Sequence, residues 1–413
     1  MSRICHNLFV APMVALGLLV ASLMAQAQET TVAPASIDQA AFRRCLVGLA
    51  PIAAKQGVSA ATFEHYIRDL APDPSVLAAL DHQPEFTTPI WDYLSGLVDQ
   101  ERVDDGKARL AQWGEVLDRV RQRYGVDPAT VVAVWGVESN YGQQFGKRPL
   151  VTSLATLSCA GRRQAYFRGE FYATLRILQS GDIKPEQFNG SWAGAFGHTQ
   201  FMPSTFERVA VDFDGDGRRD LIGSVPDALA STAHYLQLAH WQPGLPWGYE
   251  VKLPEHFDSA ISGREAKQPL SYWRAHGVRR IDGTPVDDSA VPAGLLLPAG
   301  ASGPAFLVLR NFDAVFAYNA SISYTLAIEL LSDRLRGLPG LQAHWPTDDP
   351  GTSRAERREL QRLLIARGHD IGEPDGMIGD KTREAIQQEQ HRLGLPADGR
   401  AGQRILVTLR KSS

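Results

Sequence analysis

The stretch Asp127-Pro-Ala-Thr-Val-Val-Ala-Val-Trp-Gly-Val-Glu-Ser-Asn-Tyr-Gly142 limits what this chain can fold into more than any other. Asp127 is a helix cap, Pro128 suits the first helical position and Gly142 suits the exit. At helical spacing Val131, Val134, Trp135 and Glu138 fall on one face. A carboxylate thus continues an apolar stripe instead of joining the polar side. It also sits in the last turn, where the helix dipole disfavours negative charge. Desolvation and dipole both push its pKa upward, which suits a general acid working near neutral pH. The plainer alternative is a helix that ends early and leaves Glu138 in water.

A second segment, Ser191-Trp-Ala-Gly-Ala-Phe-Gly-His-Thr-Gln-Phe-Met-Pro-Ser204, packs small residues around aromatic and polar ones. Its glycines let a polysaccharide approach the backbone closely, its aromatic faces suit sugar rings, and Ser191 and Gln200 offer hydrogen bonds. A tight helix–helix packing site is the other reading. A third, Asp212-Phe-Asp-Gly-Asp-Gly-Arg-Arg-Asp220, reproduces positions 1, 3, 5, 6 and 9 of an EF-hand loop. Asp212, Asp214, Asp216 and Asp220 supply carboxylates, and Arg218 its carbonyl at position 7. Gly223 stands where a bidentate glutamate closes such loops. Four carboxylates so close repel one another without a cation, which favours a calcium ion over a simple Asp/Gly turn, and a single loop lacking its last ligand does not read as a sensor.

The 413 residues suggest two or three domains. From Asp38 to about His240 the pattern is helical, over Ala41–Ala54, Ala60–Leu70, Lys107–Tyr124, Pro128–Asn140 and Val225–Ala239. Between about Trp247 and Asp313 short apolar runs separated by Gly/Pro turns predict a small β-rich excursion, and helix returns at Ser321–Arg334. Residues 337–353 read as a linker. From Arg354 to Ser413 a separate three-helix unit is expected, with Asp375-Gly376 and Asp398-Gly399 as turns around a helix at Lys381–Arg392. The fold class is therefore mainly α (α+β).

Net charge of −4 argues against nucleic-acid binding. Arg3, the apolar run Leu8–Met24 and Ala25-Gln-Ala27 form a secretory signal, 1–27, cleaved after Ala27. Cys5 lies too early, among the wrong neighbours, to be lipidated, so the mature protein is expected to be periplasmic and not a lipoprotein. Cys45 and Cys159 remain. In an oxidising compartment they either pair or persist as two buried thiols. With no Cys/His cluster, zinc chemistry has no support.

Over about Asp38–Arg336 the sequence resembles the lytic transglycosylases of the membrane-bound lytic murein transglycosylase B type. The resemblance rests on Glu138-Ser-Asn-Tyr-Gly142, Arg162-Arg163 with Tyr166-Phe167, Ser191–Pro203, and Tyr318-Asn319 with Tyr324, with Gln83–Phe86 and Trp91–Leu94 upstream. It implies a lysozyme-like helical core with a small β-rich insertion. It implies cleavage of the MurNAc–GlcNAc bond of peptidoglycan without water, Glu138 being the sole acid/base and no cofactor taking part. Ser191 would hold the acetamido group, while Tyr141, Arg163, Gln200, Tyr318, Asn319 and Tyr324 would line the glycan groove. Ala320 stands where the family often has histidine. The tail, Leu360-Gln-Arg-Leu363…Asp375-Gly376…Thr382-Arg-Glu-Ala385-Ile386, resembles a peptidoglycan-binding module, although Glu389 replaces a common aromatic. The implied partners are glycan strands and cell-wall synthesis or division proteins, met by a monomer. The competing readings are a lysozyme-type hydrolase and a non-catalytic wall-binding protein.

Overall fold

A computed structural model of the protein describes residues 37–80 and 88–412. The expected signal segment and the Gln83–Phe86 motif lie outside the described residues. Among those described, no helix is long and apolar enough to cross a membrane.

The chain opens with α1 (Gln39–Lys55), α2 (Ala60–Ile67) and α3 (Ser75–Leu80). Asp38 caps α1 by accepting from the amides of Ala40 and Ala41, and Phe42, Leu46, Leu49 and Ala53 form its buried stripe. Next come α4 (Ile90–Leu97), α5 (Gln100–Gln112), α6 (Gly114–Tyr124) and α7 (Pro128–Ser139). The single helix expected over Lys107–Tyr124 is thus two helices. The backbone leaves helical geometry at Trp113 (φ −108°, ψ 17°), just before Gly114. That kink lets Trp113 pack on the same core as α7.

A two-residue strand β1 (Arg148–Pro149) leads into α8 (Leu150–Cys159), followed by α9 (Gln164–Ser180). β1 pairs with β2 (Asn189–Gly190), and α10 (Pro203–Val209) and α11 (Val225–Leu238) complete the helical half. A disulfide between Cys45 of α1 and Cys159 of α8 crosses 114 residues of sequence with a Cα separation of 5.9 Å. It closes the cluster in which Phe42 and Leu46 meet Leu154, Phe167 and Phe171.

The β-rich excursion is an antiparallel sheet of β3 (Gly248–Lys252), β4 (Gln268–Pro269), β5 (Arg279–Arg280), β6 (Pro292–Leu296) and β7 (Ala305–Val308). Its strand order is β4-β6-β7-β3-β5. A short helix, α12 (Leu270–Ala275), covers one face through Trp273. Phe306 and Val308 point the other way onto α13 (Arg310–Phe316) and α14 (Ile322–Leu335), beside Phe312, Leu326 and Ala327. Trp247 fastens this contact by donating to Asp333 at 3.0 Å.

Residues 337–353 hold no helix or strand, only an isolated bridge between Gly351 and Gly402. They are strapped down nonetheless. The amides of Gln342 and Ala343 donate to Glu250, Trp345 meets Trp91, and Asp349 accepts from Arg400 and from the amide of Arg404.

The tail consists of α15 (Arg354–Ala366), α16 (Asp380–Arg392) and α17 (Gln403–Lys411), packed around Leu360, Leu364, Ile386, Leu406 and Leu409. Ser353 and Glu356 form a capping box at its start. One device closes both Asp-Gly turns. Gln361 accepts from Gly376 at 2.7 Å and donates to Asp375 at 3.0 Å. Gln390 accepts from Gly399 at 2.8 Å and donates to Asp398 at 2.7 Å. Glu389 is buried and paired with His369 at 3.0 Å and Arg392 at 2.7 Å, so an ion-pair cluster fills the place of the common aromatic.

Closing a loop of this length restricts the unfolded chain by about 4–5 kcal/mol in the entropy model. Reduction, or the pair Cys45→Ala and Cys159→Ala, is expected to lower stability by about 2–5 kcal/mol in urea titration. An unchanged midpoint would show that α1 and α8 hold together without the bond.

Candidate active site

Helix α7 is the axis of the molecule, packed on by α5, α6, α11 and α14. Asp127 caps it by accepting from the amides of Ala129 at 2.9 Å and Thr130 at 3.3 Å. Every residue from Ala129 to Gly136 is buried. The helix leaves at Asn140, two residues before the expected exit at Gly142. Asn140, Tyr141 and Gly142 all take positive φ, at 49°, 57° and 86°, and asparagine tolerates that region better than most residues. The reversal tucks Tyr141 under its own helix. A Cβ on Gly136 would come within 2.7 Å of the Tyr141 ring.

Glu138 therefore ends a buried helix at a part-covered surface. Its Oε1 accepts a short hydrogen bond from the Tyr324 hydroxyl. Burial pushes its pKa up to about 8, against the opposing pull of that bond. Tyr318 stacks on Tyr324 with centroids 6.4 Å apart and donates to the Thr199 carbonyl at 2.7 Å. Burial first, and Glu138 second, hold both phenols well above their ordinary pKa. The Glu138 carboxyl thus faces two neutral hydroxyls.

The segment 190–202 is fastened to the end of α7. Ser139 donates its hydroxyl to the His198 carbonyl at 2.8 Å, and Trp135 donates its indole N–H to His198 Nδ1 at 2.9 Å. Nδ1 is therefore an acceptor, and burial holds the imidazole down at about 4, so it is neutral. Ser191 closes a turn by accepting from the Ala195 amide at 3.0 Å. Gln200 takes φ 49° and donates to the Gly197 carbonyl at 2.9 Å. Gly146, just past the α7 exit, is pressed against the Gly190 backbone, which a Cβ would meet at 2.1 Å.

The residues singled out in the sequence divide accordingly. Tyr324 bonds Glu138 directly, and Tyr318 lies one ring further. Ser191 and Gln200 belong to the segment clasped to the α7 exit. Tyr141 does not line a groove: it is 3% exposed and donates to the Arg102 carbonyl at 2.8 Å, so it supports the site from below. Arg163 is exposed at the corner entering α9, with its guanidinium 4.6 Å over Tyr166, and Asn319 is exposed. Neither makes a hydrogen bond to Glu138 among the described residues. His198 and Trp135 went unassigned in the sequence, although both stand inside the two flagged segments. Two other carboxylates are occupied: Glu170 accepts from Ser204, and Glu207 pairs with Arg176 at 2.6 Å.

In the acidic loop, oxygens of Asp212, Asp214 and Asp227 lie within 4.8 Å of one another. Asp216, Arg218 and Asp220 of the expected set make other contacts. Asp220 turns away to Arg218, at 2.7 Å, and to the amides of Ile222 and Gly223. Asp216 instead closes a turn on the Arg218 amide. Asp227, in the first turn of α11, holds the loop by accepting from the amides of Phe213, Asp214 and Asp220. It lies beyond the twelve-residue motif, which is why the motif missed it. Hard oxygen donors gathered this closely fit a calcium ion. The Leu221 carbonyl accepts from the His198 amide at 2.9 Å, so this loop and the Glu138 site share a wall.

The family model described as "Transglycosylase SLT domain" matches residues 41–333, and "Putative peptidoglycan binding domain" matches 353–409. Membrane-bound lytic murein transglycosylase B of Escherichia coli (strain K12) is 32% identical over 250 residues, which are 57% of this chain and 64% of that protein. The chain thus spans just under two thirds of this relative's length. SltB3 from Pseudomonas aeruginosa, solved in complex with NAG-anhNAM-pentapeptide, is 47% identical with TM-score 0.72, covering 89% of this chain and 99% of its own. The Escherichia coli lytic transglycosylase Slt35 in complex with calcium is 28% identical with TM-score 0.62, covering 72% and 93%. The chain itself is a mainly helical body with a separate helical tail, and the SltB3 match spans most of it. With a glutamate of a buried helix bonded to Tyr324, the 190–202 segment clasped to the same helix, and the family model spanning most of its length, the chain belongs to the transglycosylase SLT domain family.

Proposed function

We propose that the protein is a lytic transglycosylase that cuts the β-1,4 bond between MurNAc and GlcNAc in peptidoglycan, leaving 1,6-anhydro-MurNAc ends. The observation that carries this reading is Glu138, a carboxyl raised to about 8 by burial and set against Tyr324. Protonated at neutral pH, it donates its proton to the departing glycosidic oxygen as the C1–O bond breaks. The resulting carboxylate then takes the proton of the muramoyl C6 hydroxyl, whose oxygen bonds to C1. The proton balance closes on one group, and water takes no part. Tyr324 supports the anionic stage by donating to it.

The two-carboxylate scheme of most glycosidases is not needed when the sugar acetamido oxygen stabilises C1. Ser191 is assigned to hold that group, and Gln200, Tyr318 and, at the rim, Arg163 and Asn319 to line the strand. The engagement of Glu170 and Glu207 elsewhere supports a single-carboxylate mechanism. Asp212, Asp214 and Asp227 would hold a calcium ion, which supplies positive charge to the acidic loop and takes no part in bond cleavage. The proposed setting is the periplasm, reached through the signal segment, with the tail module on the wall and no nucleic-acid partner.

Digestion of sacculi with the mature protein is expected to give products one water lighter than hydrolytic ones by mass spectrometry. Glu138→Gln should abolish them. Products carrying the full mass of water would make the protein a lysozyme-type hydrolase, and an active Glu138→Gln variant would overturn the site.

The raised pKa also fixes the sign of a stability effect. Folding favours the protonated carboxyl, so the contribution is complete below 4.5 and is lost as pH rises to about 8. The melting temperature of Glu138→Gln should therefore gain on wild type across that window. A pH-independent difference would contradict a buried acid. Calcium is expected to raise the melting temperature and EDTA to lower it, while Asp214→Asn removes the response. Identical melting with and without calcium would dismiss the ion.

A further inference from the structure

The exit of α7 is an improbable piece of backbone. Asn140 and Tyr141 both take left-handed φ, which residues with a Cβ hold only when their surroundings impose it. Tyr141 is imposed by Arg102 of α5. The Tyr141 hydroxyl donates to the Arg102 carbonyl at 2.8 Å, and the Arg102 guanidinium donates to the Gly136 carbonyl in the last turns of α7. Asn140, which tolerates this region, donates to Gln143 at 3.1 Å within the turn and is also held from outside the catalytic body. Its side-chain oxygen accepts from Arg354 Nη1 at 2.8 Å, and Arg354 is the first residue of α15, in the C-terminal unit.

The same arginine neutralises Asp99, the cap of α5, whose side chain is 3% exposed. Asp99 accepts from the Arg354 amide at 3.0 Å, from Nε at 3.0 Å and from Nη2 at 3.2 Å, and from the Arg102 amide at 2.8 Å. Burial works to raise the Asp99 pKa, yet these bonds carry it below the ordinary range. One guanidinium therefore joins the helix that carries Arg102 to the turn that follows Glu138. Gln144, just past that turn, donates to Met377 Sδ at 3.6 Å, but the remaining arginine contacts between the two bodies lack that reach. Arg358 pairs with Glu101, Arg400 with Asp92, and Arg357 donates to the Asp92 carbonyl. All three end on α4 or the first turn of α5.

We propose that Arg354 is a positioning residue for Glu138, so that the C-terminal unit completes the catalytic site as well as fastening to it. This rests on the activity proposed above. With Arg354 in place, the Asn140–Tyr141 reversal holds the end of α7 against Tyr324 and limits water at the carboxyl. Without it, the turn relaxes towards ordinary φ and the carboxyl shifts and hydrates. The titratable groups facing Glu138 are Tyr318 and Tyr324, with Tyr93 of α4 behind Tyr324, and the neighbouring His198 stays neutral. Hydration therefore moves the carboxyl towards its ordinary range.

The test compares Arg354→Gln and Arg358→Gln in the full chain on purified glycan strands. Arg354→Gln is expected to lower kcat by about tenfold or more, with KM within about twofold, since misplacement of a catalytic group acts on the chemical step. The alkaline limit of activity should move to lower pH. Arg354→Lys should recover part of the loss, because one ammonium reaches Asp99 or Asn140 but cannot fork to both. Arg358→Gln should leave kcat and the pH limit unchanged. Equal losses in the Gln variants, or an unaltered kcat and pH limit in Arg354→Gln, would reduce Arg354 to a fastener and overturn the proposal. If wild type fails to cleave glycan, the activity is wrong instead. The positioning claim is then read from the Glu138 carboxyl titration by carbon NMR, which should fall in Arg354→Gln and would refute the claim by staying put.

Discussion

In the proposed mechanism an acid that must carry a proton near neutral pH has to be kept from water, yet it must also reach its substrate. Helix α7 meets both demands by being buried over most of its length and ending at a part-covered surface. Val137 and Glu138 are half-covered, between a buried stretch and the buried Ser139. Burial favours the protonated carboxyl, and in the proposed mechanism Tyr324 steadies the charge once the proton has left. The burial that raises the pKa also opposes ionisation of the folded protein. The site is thus destabilising above the unfolded pKa, and the apolar packing of α7 against α5, α6, α11 and α14 has to offset it.

Around that axis the molecule is a set of restraints on one helix end. From one side, Trp135 and Ser139 grip His198, which ties the 190–202 segment to α7 and, through Leu221, to the acidic loop. From below, Arg102 and Tyr141 hold the reversal. From the C-terminal unit, Arg354 reaches both Asp99 and Asn140. The strapped course of residues 337–353 makes this last contact durable. It brings the tail to α4 and α5 along Trp91, Gly351 and Asp349 rather than leaving it on a loose tether.

Much of this was legible in the sequence, and the exceptions have physical causes. The mainly helical body, the β-rich excursion and the three-helix tail follow from apolar periodicity and turn residues, which are local signals. The break at Trp113 escaped because the apolar pattern runs on through it, although Gly114, a poor helix former, follows at once. Tyr141 was placed along the groove on the strength of the family resemblance. Two successive positive φ values turn it under the helix instead. Asp227 escaped because it belongs to a different helix from the loop it serves.

What residue order alone established is whatever depends on neighbours within a few positions: the capped α7 with an acid on its apolar face, the Asp-Gly turns, and the spacing of aspartates after Asp212. Periodicity and hydrogen bonds between adjacent residues suffice for these. The folded chain settled which distant groups meet. Tyr324 lies 186 residues from Glu138 and Arg354 lies 214 from Asn140. No local preference encodes such pairings, because they exist only once the separate helices have packed and excluded water between them.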